Sequence, residues 1–198
     1  KASDLPLDFE TGTFEWNNFD GGEVTIIDNP QSSGINTSTK VAQMVKSAGQ
    51  TWGGSYLVLD NPMDFSSDNT FTMKVFSPRA GAKVLLKVEN ADNSGIFYER
   101  EVETTVANEW EELTFDFSLI DNTQSYQNVV IIFENGTMGD GSADFTFLFD
   151  DIALSYVAPT LEAPALPMDF ESENVDFAFN DFDGGEMTVI DNPHSSGI

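Results

Sequence analysis

Apolar and polar residues alternate in short bursts along the chain. In Phe71-Thr72-Met73-Lys74-Val75 the odd positions are apolar, and the same period returns in Leu113-Thr114-Phe115-Asp116-Phe117 and Phe145-Thr146-Phe147-Leu148-Phe149. A period of two puts one set of side chains on each face of a strand, so each run predicts a β-strand with one buried face. Turn-rich clusters separate the runs: DNPQSSG, DNPMDFSSDN, SPRAGA, NADNSG and NGTMGDGSA. Residues 83–90 and 96–104, joined by the turn 91–95, predict a hairpin. Only 38–47 has any helical look, since Val41, Met44 and Val45 fit a period of 3.6; it reads equally as a strand. About nine or ten strands in some 155 residues predict an all-β fold, a two-sheet antiparallel β-sandwich of jelly-roll type.

The pattern then starts again. Residues 5–35 and 166–198 align with one two-residue insertion, and 21 of 31 positions are identical. FDGGE, IDNP and SSGI recur unchanged. A period of roughly 160 residues is too long for a solenoid or propeller unit and fits a tandem array of whole domains. The expected organisation is a complete module at 4–157, a linker at 158–165 with two Pro and three Ala, and the start of a second, homologous module at 166–198. Strand patterns at 177–182 and 186–190 lack the rest of their sheet, and a lone hairpin is marginal in water. The tail is therefore expected to pair with an exposed edge or to swap into a neighbouring chain in place of 5–35. The start at Lys1, without Met, reads as a processed or cut chain.

Charge narrows the function classes. The 198 residues hold 34 Asp+Glu against 8 Lys+Arg, a net charge of −26. All eight basic residues lie in 1–100, with 13 acids; 101–198 holds 21 acids and no Lys or Arg. Phosphate backbones need clustered cations, so nucleic acid is excluded as a partner, and an anionic membrane surface is disfavoured for the same reason. No apolar run reaches about 18 residues, so no membrane-inserted segment is expected. Hydrophobic content of 40%, with 17 Phe, is enough for a core and argues against disorder. There is no Cys and one His (His194), which removes thiolate sites and makes a His-based zinc site or a Ser-His-Asp triad a poor reading.

Carboxylates gather at the two ends of the first module: Asp8-Phe9-Glu10 opens it and Phe149-Asp150-Asp151-Ile152 closes it. First and last strands of a jelly roll can be neighbours, which would bring these acids together. They then hold a cation, for which Ca²⁺ with its six to eight oxygen ligands is suited, or they are solvated strand-end charges. The same residues carry a resemblance. An opening DFE, a WGG strand after a DNP…SG turn, the stretch EWEELTFDF and a closing FLFDDI resemble calcium-containing jelly-roll carbohydrate-binding modules, those of families 4, 9 and 22 above all. The resemblance covers residues 4–157. It implies tandem modules found with glucan-degrading enzymes and surface glycan-binding proteins. It also implies a structural Ca²⁺ held by Glu10 and Asp150, with Asp8 and Asp151 as helpers.

Sugar binding asks for aromatic planes against C–H faces and polar groups for the hydroxyls. Trp52 sits among glycines in Gln50-Thr51-Trp52-Gly53-Gly54-Ser55-Tyr56. It reads as a platform sharing a strand face with Gly54 and Tyr56, or as a core residue beside a bulge. Trp110 alternates with Glu112 and Thr114, as a platform or as a cover for the core edge. Trp16 has Phe179 as its repeat counterpart and reads as packing. Lys87, Glu89, Tyr98 and Arg100, if they line one face of the hairpin, can bond hydroxyls; otherwise they form cross-strand ion pairs. Carbohydrate contacts are thus expected at Trp52, Tyr56, Lys87, Glu89, Tyr98, Arg100 and Trp110.

No catalytic pair emerges. Glu111 and Glu112 are adjacent and point to opposite faces, so they cannot flank one glycosidic bond. The expected function is non-catalytic binding of a neutral polysaccharide, a β-glucan of laminarin type, by an extracellular or bacterial cell-surface protein, targeting an enzyme or surface complex to its substrate. The ligand is expected to be neutral because an anionic glycan would be repelled by the protein's field. The alternative is a structural or adhesive spacer in a tandem array with no glycan ligand.

Overall fold

The alternation of residues 71–75 becomes a strand in which Phe71, Met73 and Val75 are fully buried while Thr72 and Lys74 are half-exposed. The computed structural model describes residues 5–155, 170 and 186–190. The chain divides into two units, residues 1–157 and 158–198. In the first, ten strands follow one another: β1 (Asn17–Phe19), β2 (Gly22–Asp28), β3 (Lys40–Lys46), β4 (Gly54–Val58), β5 (Thr70–Phe76), β6 (Lys83–Glu89), β7 (Phe97–Glu103), β8 (Trp110–Asp116), β9 (Asn128–Phe133) and β10 (Thr146–Ser155). A single 3₁₀ turn, Ala143–Phe145, precedes β10, and no α-helix occurs among the described residues. No described helix is long and apolar enough to cross a membrane.

The strands form two five-stranded antiparallel sheets, a β-sandwich of jelly-roll type. The first has the order β1-β4-β9-β6-β7 and the second β2-β3-β10-β5-β8. Segment 38–47, open between helix and strand, contains the strand β3, paired with β2 along its whole length and with β10 over residues 42–45. The hairpin is β6–β7, in register from Lys83↔Glu103 to Glu89↔Phe97.

Between the sheets lies an aromatic-rich core. Phe133 stacks on Phe147 with centroids 4.5 Å apart, and Phe9 meets Phe149 edge-on at 5.7 Å. Trp16 packs against both Phe9 and Phe149, which is the packing role expected for it. The opening and closing segments are neighbours: Leu7 and Ile152 exchange backbone hydrogen bonds at 2.9 and 3.1 Å.

In the second unit, Phe170 has φ +58°, close to the +55° of its repeat counterpart Phe9. A positive φ in a bulky residue is uncommon, so a local backbone feature recurs with the sequence. Residues 186–190 form no strand, against the expectation from their alternation. Met187 and Val189 are 58% and 46% exposed, whereas Val24, the counterpart of Met187, is 5% exposed in a paired strand. The strand expected at 177–182 and the linker at 158–165 lie outside the described residues.

Candidate functional site

On the first sheet, odd residues of β9 (Val129, Ile131, Phe133) enter the core, so even ones face away from it. Register then fixes the rows of that outward face. One row runs Asn17, Tyr56, Val130, Lys87, Glu99, through the pairs Asn17↔Tyr56, Tyr56↔Val130, Lys87↔Val130 and Lys87↔Glu99. The next runs Val58, Asn128, Glu89, Phe97. At the other end Phe19 pairs with Gly54, and Leu85 with both Ile132 and Glu101. Gly54 is required there: a Cβ would fall 2.7 Å from the Ile132 side chain and 3.0 Å from the Phe19 ring.

The floor of this face is apolar, built of Leu85, Val130 and Ile132 with Phe19 and Tyr56 packed against them. Aromatics stand at both sides. Phe19 and Tyr56 lie 6.5 Å apart on one flank, and Phe97, 47% exposed, stands on the other. Between them Lys87 Nζ pairs with Glu89 at 2.7 Å and sits 4.1 Å from the Phe97 ring centroid. Asn128, 7% exposed, lies beside Glu89, and its Oδ1 accepts no hydrogen bond. Lys83 pairs with Glu101 at 3.0 Å, and Asn135 donates to Glu101 at 3.2 Å. This surface offers ring planes, ion-paired donors and acceptors, and an orphaned amide oxygen.

Tyr98 and Arg100 do not share it. Lys87 pairs with Glu99 and Glu89 with Phe97, so Tyr98 and Arg100 point inward opposite Val88 and Leu86. Tyr98 packs edge-on against Phe117 at 5.1 Å, and the Arg100 guanidinium donates to the Tyr98 hydroxyl. Strand β7 is offset by one residue from the grouping expected of it. The available signal was Val102, apolar and in phase with Tyr98 and Arg100. Phe19, Phe97, Glu99 and Asn128 are among the residues of this face that sequence reasoning missed.

Trp110 lies on the outer face of the second sheet, but it is covered. It is 8% exposed, packs on Phe76 at 5.7 Å, and clusters with Val41 and Leu148. Its indole N–H donates to the Gln31 carbonyl at 2.7 Å, so the β2–β3 connection closes over it. Trp52 is in the turn before β4, 52% exposed, with its indole donating to Asp20 Oδ2 at 2.8 Å.

The four terminal acids divide. Glu10 Oε1 accepts the N–H groups of Thr39 and Lys40, at 2.5 and 3.2 Å. Asp150 is fully buried under the same β2–β3 connection. Its Oδ2 takes a hydrogen bond from Asn36 at 2.9 Å, its Oδ1 takes the Asp151 N–H at 2.9 Å, and Ser38 also bonds to it. Burial pushes its carboxyl up to about 6, with those hydrogen bonds working in the other direction. Lys74 stands opposite Asp150 in register but gives its ammonium to Asp151 at 2.6 Å. Asp8 accepts the Glu10 N–H at 3.1 Å in a local turn. Among the described residues, no group of three or more acidic or His side chains forms a metal cluster. Glu10 and Asp150 instead address one segment, 36–40, and their chain neighbours Phe9 and Asp151 have φ +55° and +48°. Both carboxylates are met by N–H and O–H donors, so a hard cation held by Glu10 and Asp150 would have to take the place of those donors.

No protein-family model matches the sequence, and no curated protein matches it. Solved structures match the fold. The family 11 carbohydrate-binding module from Clostridium thermocellum, in complex with a β-1,3-1,4-mixed-linked tetrasaccharide, superposes with a TM-score of 0.53 at 13% identity, over 76% of this chain and 93% of that one. The CBM22-2 xylan-binding domain of Paenibacillus barcinonensis Xyn10C gives 0.50 at 13% identity, over 76% and 98%. An exo-β-agarase gives 0.58 at 13% identity, over 77% of this chain but 25% of that one. The neighbours named first are carbohydrate-binding modules, and the third is an enzyme of which the sandwich matches a quarter. At such identities the likeness is one of fold.

Proposed function

We propose that the first unit is a non-catalytic module that binds a neutral polysaccharide, a β-glucan, along the outward face of its first sheet. The observation that carries this is the arrangement of that face: Tyr56 with Phe19 on one flank, Phe97 on the other, and the Lys87–Glu89 pair between them over an apolar floor. A pyranose chain presents apolar C–H faces and a hydroxyl rim, which such a surface complements. The family 11 module, of like fold, is known with a β-1,3-1,4-mixed-linked tetrasaccharide, which supports a β-linked glycan as the ligand. The net charge of −26 favours a neutral glycan over an anionic one. Binding without chemistry suits targeting of an attached enzyme or surface complex outside the cell.

A structural Ca²⁺ belongs to the same reading. Glu10 and Asp150 would hold it, with oxygens of the 36–39 segment completing the shell, and it would neutralise the buried Asp150 carboxylate. It would tie the opening segment and β10 to the β2–β3 connection and take no part in sugar contact.

Calorimetry against laminarin, mixed-linkage β-glucan and xylan tests the glycan reading. Saturable binding to a β-glucan, reduced by Tyr56→Ala, is the expected result. A folded protein that binds none of them overturns it. The spacer reading draws support from the internal ion pairs Lys87–Glu89 and Lys83–Glu101, which can satisfy the face without a ligand, and the same experiment decides between the two.

A further inference from the structure

Trp52 is more than half exposed, yet both its ring and the loop that carries it are tied to the protein. Its ring is tied to Asp20. The loop that carries it, 47–53, is bound to the turn between β1 and β2: Ser47 N–H donates to the Gly21 carbonyl at 2.7 Å and Gln50 N–H to the Asp20 carbonyl at 2.9 Å. The two backbones touch. A Cβ on Gly49 or Gly53 would fall 2.1 or 2.3 Å from the Asp20 carbonyl oxygen. The FDGGE motif that forms this turn recurs at 182–186.

Beneath the loop lies Lys46, the last residue of β3 and fully buried. Its Nζ donates to three carbonyls, Thr51 at 2.9 Å, Phe133 at 2.8 Å and Glu134 at 2.8 Å. An ammonium has three donors and no acceptor, so these carbonyls use it completely. The Thr51 carbonyl also takes the Gly136 N–H at 3.1 Å. One buried charge therefore joins the second sheet, the end of β9 in the first, and the peptide directly before Trp52.

We infer that Lys46 is a positioning residue: its ammonium fixes the Thr51 carbonyl and thereby holds the exposed Trp52 indole against Asp20 of the turn between β1 and β2, where a sugar ring can stack on it. The use of Trp52 by a sugar rests on the glycan-binding reading above; the hold of Lys46 on Trp52 does not. Burial lowers the Lys46 ammonium to about 8, with the Glu134 charge pushing the other way. A neutral amine has two donors, so one of the three carbonyls loses its bond to Lys46. The other charged groups on the elements packed here are Arg79, paired with Glu134 at 2.9 Å, Lys83 on β6, Asp20 on the β1–β2 turn, and Asp140 in the loop whose Gly141 N–H bonds the Lys46 carbonyl. Because the folded value lies below the unfolded one, this ionisation alone does not cost folding stability as pH rises, so a local change near pH 8 is separable from unfolding.

The test uses the full chain labelled with 5-fluorotryptophan, its three resonances assigned with a Trp52→Phe variant. Between pH 6.5 and 9.5 the Trp52 resonance is expected to shift with a midpoint near 8 while those of Trp16 and Trp110 stay in place. A Trp52 resonance that stays flat, or three that move together, overturns the inference. Laminarin affinity over the same range is expected to fall several-fold with that midpoint, and to become flat with pH in Trp52→Ala. Lys46→Met, if folded by its melting curve, is expected to displace the Trp52 resonance at pH 7; an unchanged resonance counts against the inference. If laminarin is not bound at any pH, the glycan reading fails, and the fluorine titration still decides whether Lys46 holds Trp52.

Discussion

Tyr56 and Lys87 flank Val130 from opposite sides on the outward face of the first sheet, in a row set by backbone register. Tyr98, which sequence grouped with Lys87, points the other way into the sandwich. The two tyrosines should respond differently to the same substitution.

Tyr56→Ala is expected to weaken β-glucan binding by about tenfold or more, about 1.4 kcal/mol, with little change in melting temperature. Tyr98→Ala is expected to lower stability by about 1–3 kcal/mol and leave the affinity of the folded protein within about twofold. Calorimetry and thermal melts on both variants check this; the reverse outcome would mean that the glycan does not bind on the outward face of the first sheet.

Trp110→Ala should act on stability. The ring is buried with Phe76, Val41 and Leu148 and anchors Gln31. Truncating such a ring costs about 3–5 kcal/mol. Denaturant unfolding measures it, and a loss below about 1 kcal/mol would mean the β2–β3 connection does not depend on it. Trp52→Ala, at an exposed site, is expected within about 0.5 kcal/mol of wild type in the same measurement.

Asp150 predicts a pH dependence. Its folded value of about 6 lies above the ordinary 3.8, so the folded state binds this proton more tightly than the unfolded state. The resulting stabilisation is complete below about pH 4 and is lost as pH rises through 6, about 2–3 kcal/mol in all. In chelator, denaturant midpoints should therefore fall over that window, and Asp150→Asn should flatten the slope. A slope unchanged in the variant would assign it to other groups.

Calcium should offset that loss at neutral pH. Binding to the folded state alone, at about 100 times its dissociation constant, adds about 2.7 kcal/mol. The melting temperature in Ca²⁺ is expected to exceed that in chelator by several degrees, and the difference to vanish in Glu10→Gln and in Asp150→Asn. Equal melts with and without Ca²⁺ in the wild type would remove the cation from the account.

Alternation and turn residues were enough to read the sandwich, because side-chain period is a local property: Phe71, Met73 and Val75 face the core whichever strands flank them. The repeat of 5–35 at 166–198, the absence of Cys and the excess of acid are likewise properties of sequence alone. Tertiary structure decided which strands meet and in what register. That put Glu99 and Phe97, not Tyr98 and Arg100, beside Lys87 and Glu89, since a one-residue offset reverses a strand's faces. It covered Trp110 with a connection 79 residues away in sequence, and set Asp150 and Glu10 on one segment. It also closed Lys46 in with the carbonyls of Phe133 and Glu134, 87 and 88 residues away, beside that of the nearby Thr51. Each of these depends on contacts between residues far apart in sequence, which no local pattern encodes.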